Sequence, residues 1–244
     1  MSYPRAPILV TAFVLLFSSV PSIAGVFSVA PVRIFMGPRD RAVAVTIVNE
    51  AATALVLETQ LSAWSQRPDG TDELTPTDEL VLAPPIITIP AKTQQVVRLA
   101  LLRALDPSKQ LTYRLLLREV PEATAPGPQG VEIPVALAMN LPIFVSPPNA
   151  RRTIACSTVQ RSVKGISVSC NNSGNAYGQI REASLRQSST ELARFQGGGY
   201  VLPGVAKQFP LTQLTEGSTV PAGKAELHVS FDDGQTQVFD VLVP

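Results

Sequence analysis

Short runs rich in Val, Ile, Leu and Thr recur every 8–15 residues along this chain, and no sustained helical period of about 3.6 residues joins them. Runs of that kind, bounded by Gly, Pro, Asn and Asp, read as strands separated by turns. They fall at 26–35, 42–48, 55–64, 80–82, 86–89, 94–102, 111–120 and 131–145. After Ser146-Pro147-Pro148-Asn149 the style repeats at 152–159, 165–170, 178–185, 192–195, 208–211, 224–231 and 235–243. The 22 prolines among 244 residues are nearly twice the usual share of about 5% and punctuate the runs. The expectation is an all-β chain of two immunoglobulin-like sandwiches, 25–147 and 148–244, with 146–149 as the linker.

Residues 1–24 have the pattern of a cleaved secretory signal. Arg5 supplies the positive start, 8–17 is apolar apart from Thr11, and Ser22 and Ala24 are small where a signal peptidase reads, so cleavage is expected before Gly25. That apolar stretch is short and broken by Ser and Pro for a hydrocarbon core of about 30 Å, and no membrane span is expected. Without Arg5 the chain carries 19 basic and 19 acidic residues. A chain with no net charge has no basic footprint for nucleic acid, so no nucleic-acid partner is expected. With 45% hydrophobic and 16% charged residues, it is also not a disordered tail.

The chemistry-bearing residues are few. One His and two Cys cannot build a zinc finger or a Cys/His metal cage, so no metal site is expected. In an exported chain Cys156 and Cys170 most simply form one disulfide, and a turn at 163–166 would bring them side by side on a hairpin. No Cys-x-x-Cys suggests redox work. His228 alternates outward from Leu227, Val229 and Phe231. Gly197, Gly198 and Gly199 lack the Lys-Ser/Thr of a phosphate loop and read as a hairpin loop. Trp64 reads as a core anchor, and the sequon match Asn171-Asn172-Ser173 overlaps Asn172-Ser173-Gly174-Asn175, which reads more simply as a turn. Nothing assembles a nucleophile, a base and an orienting group, so neither enzyme nor cofactor is expected.

Residues 131–145 are the most informative stretch. Every odd position is apolar: Val131, Ile133, Val135, Leu137, Met139, Leu141, Ile143 and Val145. In a strand these form one ridge. Pro134 and Pro142 are both even, so their missing N–H groups fall on one lateral side, which is expected to be a free edge. A long apolar edge strand is a hazard unless it is meant to pair with a partner.

With Ser28-Val29-Ala30-Pro31-Val32-Arg33, Gln95-Val96-Val97-Arg98-Leu99, Tyr113 to Pro121 (Tyr-Arg-Leu-Leu-Leu-Arg-Glu-Val-Pro) and Leu141-Pro142-Ile143-Phe144-Val145, the chain resembles the periplasmic pilus-assembly chaperones of the chaperone–usher pathway, the PapD-like family. Leu-Pro-Ile-Phe-Val, and Asp78-Glu79-Leu80 leading to Pro84-Pro85, are most like its archaic branch. The resemblance implies two immunoglobulin-like domains set in an L. It implies a chaperone that binds, folds and caps pilus subunits by donor-strand complementation and delivers them to an outer-membrane usher. Val131, Ile133, Val135, Leu137 and Met139 would be the donors, and Arg33 would hold the subunit's terminal carboxylate. Self-association in the absence of subunit is a further expectation. The family's usual cleft Lys falls at Pro142 and the Arg that follows it at Ser146, leaving Arg98 and Arg118 as candidate substitutes. The alternative is an exported immunoglobulin-like adhesion or carbohydrate-binding module, which would present aromatic loops rather than an apolar edge.

Overall fold

The computed structural model describes residues 27–121, 136–162, 165–214 and 220–244. Every regular element among them is a strand, and the fold is all-β with two immunoglobulin-like sandwich domains. No helix of the described residues is long and apolar enough to cross a membrane. The expected signal segment, 1–24, lies outside the described residues, and the expected boundary at 147/148 falls between the tenth and eleventh strands.

The first sandwich contains β1 (Phe27–Ala30), β2 (Ile34–Met36), β3 (Ala42–Asn49), β4 (Leu55–Gln66), β5 (Asp72–Pro76), β6 (Leu80–Ala83), β7 (Ile86–Ile89), β8 (Gln94–Leu101), β9 (Leu111–Glu119) and β10 (Ala138–Val145). One sheet runs β1-β3-β8-β6. The other runs β2-β10-β9-β4-β5, with β7 also pairing with β4. Period-two alternation builds the core. Val45, Ile47, Val97, Leu99, Leu115 and Leu117 point inward, while their neighbours along each strand turn outward.

Two elements differ from expectation. The run 26–35 is two strands in different sheets, β1 on β3 and β2 parallel to β10. Pro31 interrupts it, because a proline has no N–H with which to continue a ladder. β5 shows no apolar alternation in sequence, with Leu74 alone between polar residues, and all five of its residues are exposed. It is held by pairing along β4, from Ser62↔Pro76 to Gln66↔Asp72. The intervening turn closes through the Gly70 N–H on the Arg67 carbonyl at 2.8 Å, with Gly70 at φ +82°, where side-chain-bearing residues are strained.

The second domain contains β11 (Ile154–Ser162), β12 (Gly165–Asn172), β13 (Gly178–Gln187), β14 (Thr190–Val201), β15 (Ala206–Gln213), β16 (Gly223–Phe231) and β17 (Thr236–Val243). The order β11-β12-β15-β14-β13-β16-β17 closes on itself, through Thr158 opposite Leu242. Gly197, Gly198 and Gly199 lie inside β14 rather than in a hairpin loop. Packing explains the last of them, because a Cβ on Gly199 would sit 2.5 Å from Cε1 of Phe209.

Each domain also buries one asparagine at the end of an eight-residue strand, Asn49 on β3 and Asn172 on β12. Asn49 Nδ2 donates to the carbonyls of Thr53 and Ile89 at 2.9 and 3.0 Å, and Oδ1 accepts from the Ala51 N–H. Asn172 Nδ2 donates to the carbonyls of Ala176 and Val201 at 2.8 and 2.9 Å, and Oδ1 accepts from the Gly174 N–H. Both amides satisfy loop backbone that would otherwise be buried unbonded.

Cys156 and Cys170 form a disulfide, directly opposite each other in the β11–β12 register and both buried. Thiol labelling of the unfolded, unreduced protein is expected to find no free cysteine. With a sequence separation of 14, replacing both by Ala is expected to lower the second domain's unfolding free energy by up to about 3 kcal/mol in urea titrations.

Candidate functional site

The site starts from the unequal pairing of β10. On one side β9 covers it fully, from Ala138↔Arg118 to Val145↔Leu111. On the other, β2 covers only Ile143 to Val145. Residues 138–142 therefore have an uncovered edge among the described residues. Two hydrogen bonds fix which backbone groups point there. The Glu119 N–H donates to the Leu137 carbonyl at 2.9 Å, and the Ser146 N–H donates to the Met36 carbonyl at 2.8 Å. Odd residues thus bond toward β9 and even ones toward β2 and the open side, so Pro142 places its missing donor on the open side.

The apolar ridge divides along its length. Leu141, Ile143 and Val145 are buried in the core of the first sandwich, whereas Leu137 and Met139 are half-buried against it. Val131, Ile133 and Val135 lie outside the described residues. Within those residues the strand begins at Ala138, not earlier.

The even residue Phe144 turns to the opposite face and meets the second domain. Its ring stacks on Tyr177 with centroids 3.9 Å apart, with Phe35 at 5.5 Å, Tyr200 at 5.8 Å and Trp64 at 6.0 Å. Trp64 is buried, as expected of an anchor, but its core is this junction. Two glutamine amides flank the stack. Gln66 Nε2 donates to the Tyr200 carbonyl at 3.0 Å, and its Oε1 accepts from the Leu202 N–H at 2.9 Å. Gln110 Oε1 accepts from the Tyr177 N–H at 2.9 Å, and its Nε2 donates to Ser146 Oγ at 2.9 Å. At Ser146, where the resemblance places an arginine, a hydroxyl serves an amide.

Beside the stack lies a cleft of about 380 Å³, lined among others by Arg33, Arg114, Asn140, Pro142, Arg181 and Tyr200. Arg33 Nη1 donates to Asp232 Oδ2 at 2.6 Å and to Gln179 Oε1 at 3.1 Å. Burial opposes the Arg33 charge, but the Asp232 bond and nearby Tyr200 and Tyr177 outweigh it and hold its pKa above the ordinary value. Asp232 also accepts from the Tyr177 hydroxyl at 3.0 Å. Burial first, and then Asp232, push that phenol's pKa up. His228, outward as expected, lies 3.0 Å from Glu226 on β16 and is outside the cleft.

The cleft's other arginines are not the ones singled out in the sequence. Arg98 is exposed on β8, opposite Ala44 and Ala83 in the other sheet. Arg118 faces Glu58 at 3.7 Å, farther along β9. The cleft instead receives Arg114, directly across from Pro142 in the β9–β10 register. Nothing in one-dimensional spacing marks Arg114, since only the register brings it beside position 142. Arg181 reaches the cleft from a bulge in β13, where the pairing steps from Ile180↔Gly199 to Glu182↔Gln196.

Comparison with known proteins adds three findings. A family described as pili and flagellar-assembly chaperone, PapD N-terminal domain, matches residues 26–151. No curated protein matches the chain in sequence. Solved structures share the fold at low identity. The chaperone–tip adhesion subunit complex CsuC–CsuE of archaic Csu pili from Acinetobacter baumannii aligns at TM-score 0.66 and 18% identity, over 89% of this chain and 98% of that one. The E. coli chaperone DraB aligns at 0.59 and 15%, over 89% and 95%. The Salmonella enterica SafA pilin–SafB chaperone complex aligns at 0.61 and 14%, over 89% and 96%.

Phe144 is fully buried where the two domains meet. Phe144→Ala is therefore expected to cost about 3–5 kcal/mol in urea unfolding. Small-angle scattering is expected to show a broader range of interdomain distances in the same variant.

Proposed function

The chain belongs to the pili and flagellar-assembly chaperones that carry a PapD N-terminal domain, and from that premise we propose that it holds pilus subunits in the periplasm by lending them the apolar ridge at 131–139 that runs into β10, then passes them to an outer-membrane usher. This is work for a non-enzymatic chaperone. The observation that carries the reading is the open edge at residues 138–142, paired on one side by β9 and left uncovered until β2 begins. A subunit lacking one strand can add its own backbone there, while apolar side chains of this strand fill its groove.

The donors are Val131, Ile133, Val135 and Leu137, with Met139 at the junction to the chaperone's own core. Burying four such side chains is worth roughly 6–12 kcal/mol before the costs of association and ordering, at about 1.5–3 kcal/mol each. Micromolar or tighter capture needs no chemistry beyond that. Arg33 contributes through its remaining donors. Its bonds to Asp232 and Gln179 use Nη1 alone, so Nε and Nη2 are available for a bidentate pair with the subunit's terminal carboxylate. The signal-like residues 1–24 fit a periplasmic destination, and the same open edge fits self-association when no subunit is present. The solved complexes of CsuC with a tip adhesion subunit and of SafB with a pilin support the assignment of partner class.

Protein purified from its native cells is expected to carry a stoichiometric small subunit. Ile133→Asp is expected to abolish that capture while circular dichroism stays unchanged. Leu141→Asp, whose side chain lies in the core, is expected to unfold the first domain instead. If Ile133→Asp unfolds the chaperone, the ridge is its own core and the donor role is wrong. Arg33→Ala is expected to keep the fold and to weaken capture by about 1.5–3 kcal/mol, the usual worth of a hydrogen bond to a charged group, read by calorimetry.

A further inference from the structure

A second cavity, of about 370 Å³, opens at the domain junction and shares no lining residue with the arginine-lined cleft. Its walls come from both domains. Trp64 of β4 and Leu111 of β9 meet Leu202, Pro203 and Val205, from the connection between β14 and β15. A space of this size with apolar walls and a few polar groups is in the range of small-ligand sites. The Trp64 indole N–H is the one buried side-chain nitrogen or oxygen without a hydrogen-bond partner among the described residues. Buried donors rarely stay unbonded, and this one belongs to a residue that lines the cavity. Arg114 covers a face of the same indole, with Cζ 3.7 Å from the ring centroid.

The mouth of this cavity is cationic. Arg103 and Lys109, both exposed, lie there, on the connection between β8 and β9. Glu79 is the one carboxylate in the lining, and both its oxygens are engaged. Oε2 accepts from the Tyr113 hydroxyl at 2.6 Å and Oε1 from Arg103 Nη1 at 2.5 Å. The Lys109 ammonium therefore has no hydrogen-bonded or ion-paired acceptor among the described residues. Apolar walls beneath an unpaired cation suit a ligand with an apolar body and an anionic head. The second-domain wall is aliphatic, which suits an alkyl tail. We infer that this cavity binds a single-chain amphiphile with an anionic head, of the fatty-acid type, its tail against Leu202, Pro203 and Val205 and its head beside Lys109 and Arg103. Because both domains line the cavity, its occupant bridges them. The inference goes beyond strand lending and does not depend on it.

The probes are octanoate, 1-octanol and octyltrimethylammonium, which share one tail and differ in head charge. Each is titrated into the full chain below its micelle-forming concentration. Calorimetry is one readout, and emission of Trp64, the chain's one tryptophan, is the other. Octanoate is expected to shift that emission and to bind about fivefold more tightly than octanol, the size of a charge pair at a solvent-open mouth. The ammonium is expected to show no saturable binding. Lys109→Gln is expected to erase the preference for octanoate while leaving octanol affinity unchanged, and Lys109→Arg to keep it. Ser65→Phe places a ring from the lining into the space and is expected to abolish binding of both, with circular dichroism unchanged. The assignment is overturned if octanoate and octanol bind alike, if neither saturates at millimolar concentration, or if Lys109→Gln titrates as wild type. It is also overturned if Arg181→Gln, in the arginine-lined cleft, weakens octanoate as much as Lys109→Gln does, since the acid would then lie in the cleft. Loss of subunit capture in Ile133→Asp with an unchanged octanoate titration separates this cavity from strand lending.

Discussion

The contact of Phe144 with Tyr177 is the constraint on which the rest of the molecule depends. It joins the last strand of the first sandwich to the residue just before β13 in the second, with ring centroids 3.9 Å apart. Because β10 is pinned there, its open edge stands at a defined position beside the second domain. The glutamine amides of Gln66 and Gln110 add direction to an apolar contact that would otherwise allow rotation. Each behaves like a piece of backbone, accepting from one main-chain N–H of the other domain. The walls of the cleft, with Arg33 and Arg114 on one side and Gln179 and Arg181 on the other, inherit their spacing from that junction. The aromatic and amide contacts of this joint carry no charge, and the partly buried Arg33–Asp232 pair beside them is the contact that salt would weaken.

Much of this was legible in one dimension. The alternation along 137–145 identified the part of the ridge that the described residues contain, and the parity of Pro142 identified its open side. The pairing of Leu137 with Glu119 and of Ser146 with Met36 agrees with that parity. The disulfide followed from having only two cysteines in a chain that looks exported. What stayed hidden was set by register and packing. β5 is stabilised by a neighbour's backbone and has no apolar side to show. Gly199 sits in a strand because Phe209 needs the room, which no turn propensity encodes. Arg98 and Arg118 were the arginines the sequence offered, and Arg114 emerges only because the β9–β10 register places it opposite Pro142.

The two domains solve one local problem in the same way. Asn49 and Asn172 each end an eight-residue strand and each bond main-chain groups of the loop that follows. A carboxamide is suited to this, since it offers donors and an acceptor without bringing a charge into the interior. The equivalence points to a shared architectural requirement of these sandwiches rather than to the cleft, because both asparagines lie within their own domains.

The short strand β2 has a further consequence. It takes over the edge of β10 at Ile143, immediately after Arg33 in sequence. A strand added along residues 138–142 would meet β2 as a physical stop. On the strand-lending proposal, that stop acts as a depth gauge made of backbone, and the resting register of an added strand would follow from where its chain ends rather than from its side chains.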